Sequence, residues 1–322
     1  MNFTLVMLPP QTATTRAWAR DLAAAVPDAH VIVAESEAEA TPIIANAAAA
    51  YGALPPHLLA HAQNLRWLQA PQAAPPAGFY YPALIAHPLT VTNMREIFND
   101  HIGAHILAFV LAFARDFHTY LPQQQHRLWN PKPLDTGVID LTAATALIVG
   151  LGGIGAEAAR LLAAFGTRVI ATDARRTAPT AGVAALHPPE QLDSLLGTAD
   201  FVILTVPHTP ATEFFMDRAR FRRMKPSAFF INIGRGKTTR LDDLAAALEA
   251  REIAGAGLDV FETEPLPSSH PLWTLPGVLI TPHTAGYGPH LDERRYAILR
   301  DNARAFATGA PLRNIVDKAN WF

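Results

Sequence analysis

The chain contains no cysteine, which excludes disulfides, thiolate nucleophiles and thiolate metal sites. Charge is also scarce. Only 17% of residues are Asp, Glu, Lys or Arg, against 50% that are hydrophobic, and the formal net charge is −2. That balance argues against disorder, and against a surface made to bind nucleic acid or an anionic membrane. The longest apolar run, residues 106–114, falls well short of the roughly 20 residues that span a bilayer. The opening stretch from Met1 to Leu8 reads as a strand without a basic leader or cleavage site, so no signal peptide is expected and a cytoplasmic protein is. A chain of 322 residues has room for two domains of ordinary size.

What is present centres on residues 146–173. Ala146 to Val149 read as a buried strand, and Gly150, Gly152 and Gly155 follow at the G-x-G-x-x-G spacing. Ile154, Ala158, Leu161, Leu162 and Phe165 then share one helix face, with Gly166 as the stop. A second strand, 168–172, ends at Asp173. Each part has a mechanical use: the first glycine permits the turn, the second admits a pyrophosphate to the backbone, and the third packs helix on strand. The helix N-terminus, here Gly153 and Ile154, offers N–H groups to phosphate, and Asp173 is placed to accept from a ribose hydroxyl. A dinucleotide site is expected.

On either side the chain reads as α/β. Residues 1–98 carry candidate strands at 3–8, 30–34, 67–70 and 89–92, with a stiff loop, Pro71 to Gly78, after the third. Residues 99–120 read as one long interdomain helix, and 121–141 as a loop or arm packing on a neighbouring domain or subunit. From 143 onward strands at 147–149, 169–172, 201–206, 229–233, 255–259 and 278–281 alternate with helical patterns, implying a parallel sheet covered on both faces. A last helix is expected at 290–308, with a tail, 312–322, returning to the first domain.

Three runs just past strands carry groups suited to chemistry. Arg235 lies between Gly234 and Gly236, where a guanidinium can hold a carboxylate with two parallel hydrogen bonds. Glu264 follows the 255–259 strand and His283 the 278–281 strand. A carboxylate beside an imidazole favours its charged form and holds its tautomer, making it a proton donor. The spacing alone does not bring the two together.

These runs, with Val206-Pro207-His208-Thr209-Pro210-Ala211-Thr212, Asn232-Ile233-Gly234-Arg235-Gly236, Leu258-Asp259-Val260-Phe261, Glu264-Pro265-Leu266-Pro267 and Thr281-Pro282-His283, resemble the D-isomer-specific 2-hydroxyacid dehydrogenase family over nearly the whole length. Within the family the chain is read as glyoxylate/hydroxypyruvate reductase-like, with glyoxylate, hydroxypyruvate or a bulkier keto acid expected before phosphoglycerate. It implies a Rossmann doubly wound sheet, residues 99–289, inserted into a flavodoxin-like α/β substrate domain made of residues 1–98 and 290–322. It implies that Arg235 binds the substrate carboxylate, that Glu264 orients and charges His283, and that His283 moves the proton. For the cofactor it implies Gly150, Gly152, Gly153, Ile154, Gly155, Asp173, Arg175, Val206, Pro207, Thr212, Ile233, Gly234 and Asp259, the last at the nicotinamide amide. It further implies hydride exchange with C2 of a 2-keto or 2-hydroxy acid, domain closure over the site and a homodimer.

The departures from the family pattern concern the substrate. Where members carry an Ala-Gly pair whose N–H groups receive the carboxylate, this chain has Ala73-Ala74 and then Pro75-Pro76, and proline donates no N–H. Ala104 replaces an acid before His105, and Glu96 stands where glycine is common. Asp173 favours NAD, while Arg175 and Arg176 leave NADP open. The first 98 residues hold Arg16, Arg20, Arg66 and Arg95 and no lysine, a poor endowment for a phosphorylated substrate. Phe79, Tyr80 and Tyr81 could line an apolar pocket, though an aromatic run is more often core. Two other readings stand beside the enzyme. His101 and His105 have a spacing that could hold a metal, but Ile102 follows where a zinc protease motif needs Glu, so helix-face packing or cleft lining is the default and no metal site is expected. A non-catalytic NADH sensor resembling the C-terminal-binding-protein corepressors would share the fold and the site residues. Formate dehydrogenases are also similar but typically have Gln where Glu264 stands.

Overall fold

The computed structural model describes residues 1–73, 76, 78–134 and 136–320. The chain forms two compact units, one from Met1–Ile97 with Gly288–Phe322, the other from Phe98–Tyr287.

The first unit holds a five-stranded parallel sheet of β1 (Phe3–Met7), β2 (Ala29–Val33), β3 (Ala49–Tyr51), β4 (Trp67–Gln69) and β5 (Thr90–Thr92), in the order β2-β1-β3-β4-β5. This is the flavodoxin-like order. The two ends of the chain are fastened together by buried polar groups. Asn302, on the helix Leu291–Thr308, donates to the Gln69 side chain (2.9 Å) and accepts from the Arg313 N–H (2.7 Å), while Thr92 donates to Gln69 (2.8 Å). The tail makes an isolated antiparallel bridge between Thr92 and Ile315. Phe306 of the same helix packs edge-on against Phe3 with ring centres 4.9 Å apart.

The second unit holds seven parallel strands: β6 (Thr145–Val149), β7 (Arg168–Thr172), β8 (Ala185–His187), β9 (Phe201–Leu204), β10 (Phe229–Asn232), β11 (Gly255–Leu258) and β12 (Val278–Ile280). Their order is β12-β11-β10-β9-β6-β7-β8. The order reverses between β6 and β9, the switch point at which doubly wound sheets bind ligands beyond the strand C-termini. Strand side chains alternate between two cores. Leu147, Val149, Val202, Leu204 and Phe230 face one, and Ala146, Ile148, Phe201, Ile203, Phe229 and Ile231 the other. Continuous apolar strands of this kind are what burial on both faces requires. Truncating a fully buried ring such as Phe201 to alanine would cost about 3–5 kcal/mol.

The structure differs from the sequence reading at three places. The helix expected over residues 99–120 is two helices, Asn99–Ala114 and Phe117–Gln125, and the second takes in the start of the expected 121–141 loop. Asp116 breaks the helix in the left-handed region (φ 60°). Its buried carboxylate pairs with Lys132 (2.7 Å) and accepts from the Thr119 hydroxyl (2.7 Å), so the chain turns to satisfy a charge. Strands β3 and β8 were not expected: Ala-Ala-Tyr and Ala-Leu-His are three residues each, with no β-branched side chain. Among the described residues no helix is long and apolar enough to cross a membrane.

Candidate active site

The glycine-rich turn follows β6. Gly150 has φ +97°, where an L side chain is strained, and a Cβ on Gly155 would run into the Gly150 carbonyl. A Cβ on Gly152 would meet nothing within 4 Å. The helix Gly153–Ala164 starts there without a side-chain cap, so the first N–H groups of Gly153, Ile154 and Gly155 are left to a ligand. This open, uncapped cradle fits a dinucleotide pyrophosphate. Val206, next after the β9 loop begins, crowds Gly150 (its Cγ1 would lie 2.8 Å from an added Cβ), and the Val206 carbonyl backs Gly234. Thr212 donates to the Pro207 carbonyl (2.7 Å), and Ile233 is buried at the end of β10.

Asp173, one residue past β7, accepts from the N–H groups of Leu151 (2.7 Å), Arg175 (2.8 Å) and Arg176 (2.8 Å). Burial opposes its ionisation, but the three N–H donors outweigh that and hold its carboxyl below the ordinary value. Arg176 returns to the Leu151 carbonyl through Nε (2.5 Å). Asp173 therefore also ties the second strand's loop to the glycine turn, a task the sequence does not reveal.

Arg235, Glu264 and His283 stand beyond β10, β11 and β12, three neighbouring strands. Asn232, fully buried, shapes the Arg235 turn: its Oδ1 accepts from Gly234 N (3.0 Å) and its Nδ2 donates to the Arg235 carbonyl (3.2 Å). Among the described residues Arg235 has no carboxylate within ion-pairing distance, and its guanidinium donates to the Gly234 carbonyl (2.6 Å). Burial lowers its pKa, with Glu264 partly compensating. Glu264 accepts from Phe261 N through Oε1 (2.9 Å) and meets His283 Nδ1 through Oε2 at 2.7 Å. A carboxylate only accepts, so Nδ1 carries the hydrogen in this contact and Nε2 is the ring atom left to face a substrate. The pair the sequence could not bring together is formed.

His283 itself lies at φ +55°, a region costly for a residue with a Cβ. Asp259, with 1% of its surface exposed, holds it there. The Asp259 carboxylate accepts from the Thr281 hydroxyl (2.6 Å) and Thr284 N (2.8 Å) through Oδ1, and from Ala285 N (3.0 Å) through Oδ2. His105 Nε2 meets Thr281 Oγ1 at 2.9 Å. His105 is thus turned toward Thr281, and His101 keeps a buried Nε2 without a hydrogen-bond partner. Among the described residues no group of three His, Asp or Glu could hold a metal. Of the two alanines expected at the substrate, Ala73 lies in the first unit, its carbonyl accepting from Asn93 (2.9 Å), while Ala74 falls outside the described residues. Glu96 takes φ +79°, the left-handed geometry for which a glycine is the usual occupant.

A parallel sheet in the order 3-2-1-4-5-6, extended by a seventh strand, with a glycine turn at its switch point defines a dinucleotide-binding fold of the Rossmann type. More narrowly, residues 107–285 match the D-isomer specific 2-hydroxyacid dehydrogenase, NAD binding domain, and the chain belongs to that family. It is 38% identical to glyoxylate/hydroxypyruvate reductase A of Yersinia enterocolitica over 181 residues, 56% of each chain. It is 35% identical to glyoxylate/hydroxypyruvate reductase B of Serratia proteamaculans over 245 residues, 74% of each chain. Among solved structures it resembles an NADPH-dependent glyoxylate/hydroxypyruvate reductase from Sinorhizobium meliloti, in complex with NADP and sulfate, at a TM-score of 0.80 and 25% identity, covering 100% of both chains.

Proposed function

We propose that the protein reduces a small 2-keto acid to the D-2-hydroxy acid with NADH or NADPH, the class of reaction for which the similar reductases are named. One observation carries the reading: a half-exposed histidine bonded to a carboxylate at 2.7 Å, with a guanidinium near that carboxylate that has no ion-pair partner among the described residues. The uncapped turn at Gly152 would hold the cofactor's pyrophosphate, with Asp173 and Arg175 near the ribose and Val206, Pro207, Thr212, Ile233, Gly234 and Asp259 along the remainder. The nicotinamide, when bound, would supply the hydride for C2. Arg235 pairs with the substrate carboxylate and draws charge from the carbonyl, which strengthens as the alkoxide develops. His283 gives its Nε2 proton to that oxygen, and Glu264 stabilises the imidazolium beforehand and keeps the ring aimed. Glyoxylate and hydroxypyruvate are the first substrates to test.

The arm after Asp116 supports self-association: Trp129 is 96% and Leu134 98% exposed, with Phe117, Leu121 and Leu128 also on the surface. A homodimer joined through this arm is the state we propose, and light scattering of the native protein beside a Trp129→Glu variant measures it. A monomer in both cases would refute it.

The deciding assay follows absorbance of the reduced nicotinamide with glyoxylate, hydroxypyruvate, pyruvate and phenylpyruvate, using NADH and NADPH separately. Turnover is expected, with His283→Ala slower by about 10³-fold. Tight NADH binding without turnover of any keto acid would replace the enzyme by a sensor.

A further inference from the structure

Thr281 has one hydroxyl hydrogen, and the 2.6 Å contact to Asp259 Oδ1 uses it, because a carboxylate can only accept. The 2.9 Å contact between Thr281 Oγ1 and His105 Nε2 must then run the other way, with His105 donating. Burial keeps His105 neutral, pushing its pKa down despite the nearby Asp259, so its one ring hydrogen sits on Nε2. The result is a directed chain from His105 to Thr281 to Asp259. Its far end also receives the N–H groups of Thr284 and Ala285, which brackets His283 from both sides. His105 stands 176 residues from Thr281 in the sequence, on the helix Asn99–Ala114, whose Phe109 and Phe113 are packed in the core. Its ring meets Phe109 edge-on at 4.8 Å, so the donor is held by a rigid element.

We infer that His105 is a positioning residue for His283: by donating to the Thr281 hydroxyl it fixes the Asp259 clamp that holds the His283 backbone in its left-handed conformation and its ring against Glu264. This rests on the proposed proton donor. It gives His105, which the sequence left to helix-face packing or cleft lining, a role in catalytic geometry.

Two variants remove the contact without removing bulk, His105→Phe and Thr281→Val. Each is expected to lower kcat roughly ten- to hundredfold, as small misplacements of a reacting group do, with KM and NADH affinity (by fluorescence titration) unchanged within about twofold. His105→Gln and Thr281→Ser, which keep the donor and the hydroxyl, should restore most of the rate. The double variant should be no slower than the slower single one, and His105→Phe should add nothing to His283→Ala, because both act through one group. Normal kcat in both Phe and Val variants, or additive losses, would overturn the inference. So would failure of both conservative variants to restore the rate. A second measurement does not depend on turnover. In histidine-labelled protein the His283 ring resonance, identified by its loss in His283→Ala, should move in His105→Phe and Thr281→Val and return in His105→Gln. An unmoved resonance overturns the positioning role even if no keto acid is reduced, whereas a moved resonance in a protein without turnover upholds it and refutes only the reductase reading.

Discussion

Two aspartates occupy the same place in the second sheet, one residue past a parallel strand, and each collects three donors. Asp173 follows β7 and takes Leu151, Arg175 and Arg176. Asp259 follows β11 and takes Thr281, Thr284 and Ala285. Their surroundings differ. Asp259 is sealed from water at 1% exposure, while Asp173 is partly open and its two arginine neighbours are exposed. The same hydrogen-bond count should therefore do different work. A sealed carboxylate leaves its donors with no substitute when it is removed, whereas water can replace a partly open one. Rigidity is thus concentrated around His283, the proposed proton donor. The cofactor turn is more forgiving.

Asp259→Ala should show the largest effect. It strands the Thr284 and Ala285 N–H groups and the Thr281 hydroxyl, each worth about 1–3 kcal/mol when buried unpaired. We expect a loss of about 3 kcal/mol or more in urea unfolding and a kcat lower by roughly a hundredfold or more. A stable Asp259→Ala protein with near-normal kcat would remove the distinction between the two aspartates. Glu264→Gln comes next. It preserves an acceptor for His283 Nδ1 but not the negative charge, so the fold should hold while kcat falls by roughly ten- to hundredfold. Equal effects of Glu264→Gln on stability and on rate would mean that the charge serves the loop, not the proton transfer.

Much of this molecule is legible in its sequence. The glycine spacing, the flanking strands and Asp173 announce their geometry locally, because each part acts on its chain neighbours. Arg235, Glu264 and His283 were legible for a different reason: each follows an apolar strand, and parallel strands deliver their ends to one edge. The His283–Glu264 contact was open, since 19 residues separate the pair and only the adjacency of β11 and β12 closes the gap. In the sequence His105 reads only as helix-face packing or cleft lining, because its partner is on a strand end 176 residues away. No local period encodes that. The break at Asp116 was hidden because the apolar helical pattern before it ends in no glycine or proline stop, and only the Lys132 partner reveals why the chain turns. The three-residue strands β3 and β8 owe their place to neighbours, not to their own side chains.

The smallest effect belongs to Asp173, and pH reveals its origin. Its carboxyl is held below 3.8 in the folded protein by the N–H groups of Arg176, Arg175 and Leu151, which overcome burial. A depressed pKa means the folded state gains from the ionised form, so the stabilisation is complete above the unfolded value and disappears as pH falls through the folded one. Asp173→Asn should therefore cost about 1 kcal/mol at neutral pH, read from urea unfolding. The native protein and the variant should converge in stability as the pH is lowered past 3.8. Their dinucleotide affinities should differ by less than about tenfold, because the turn keeps its glycines and its uncapped helix. A gap that persisted unchanged through the acid range would show that the Asn variant is destabilised by something other than the lost charge. A gap as large as that of Asp259→Ala would show that solvent does not relieve the cofactor turn, and the two aspartates would then be equivalent clamps.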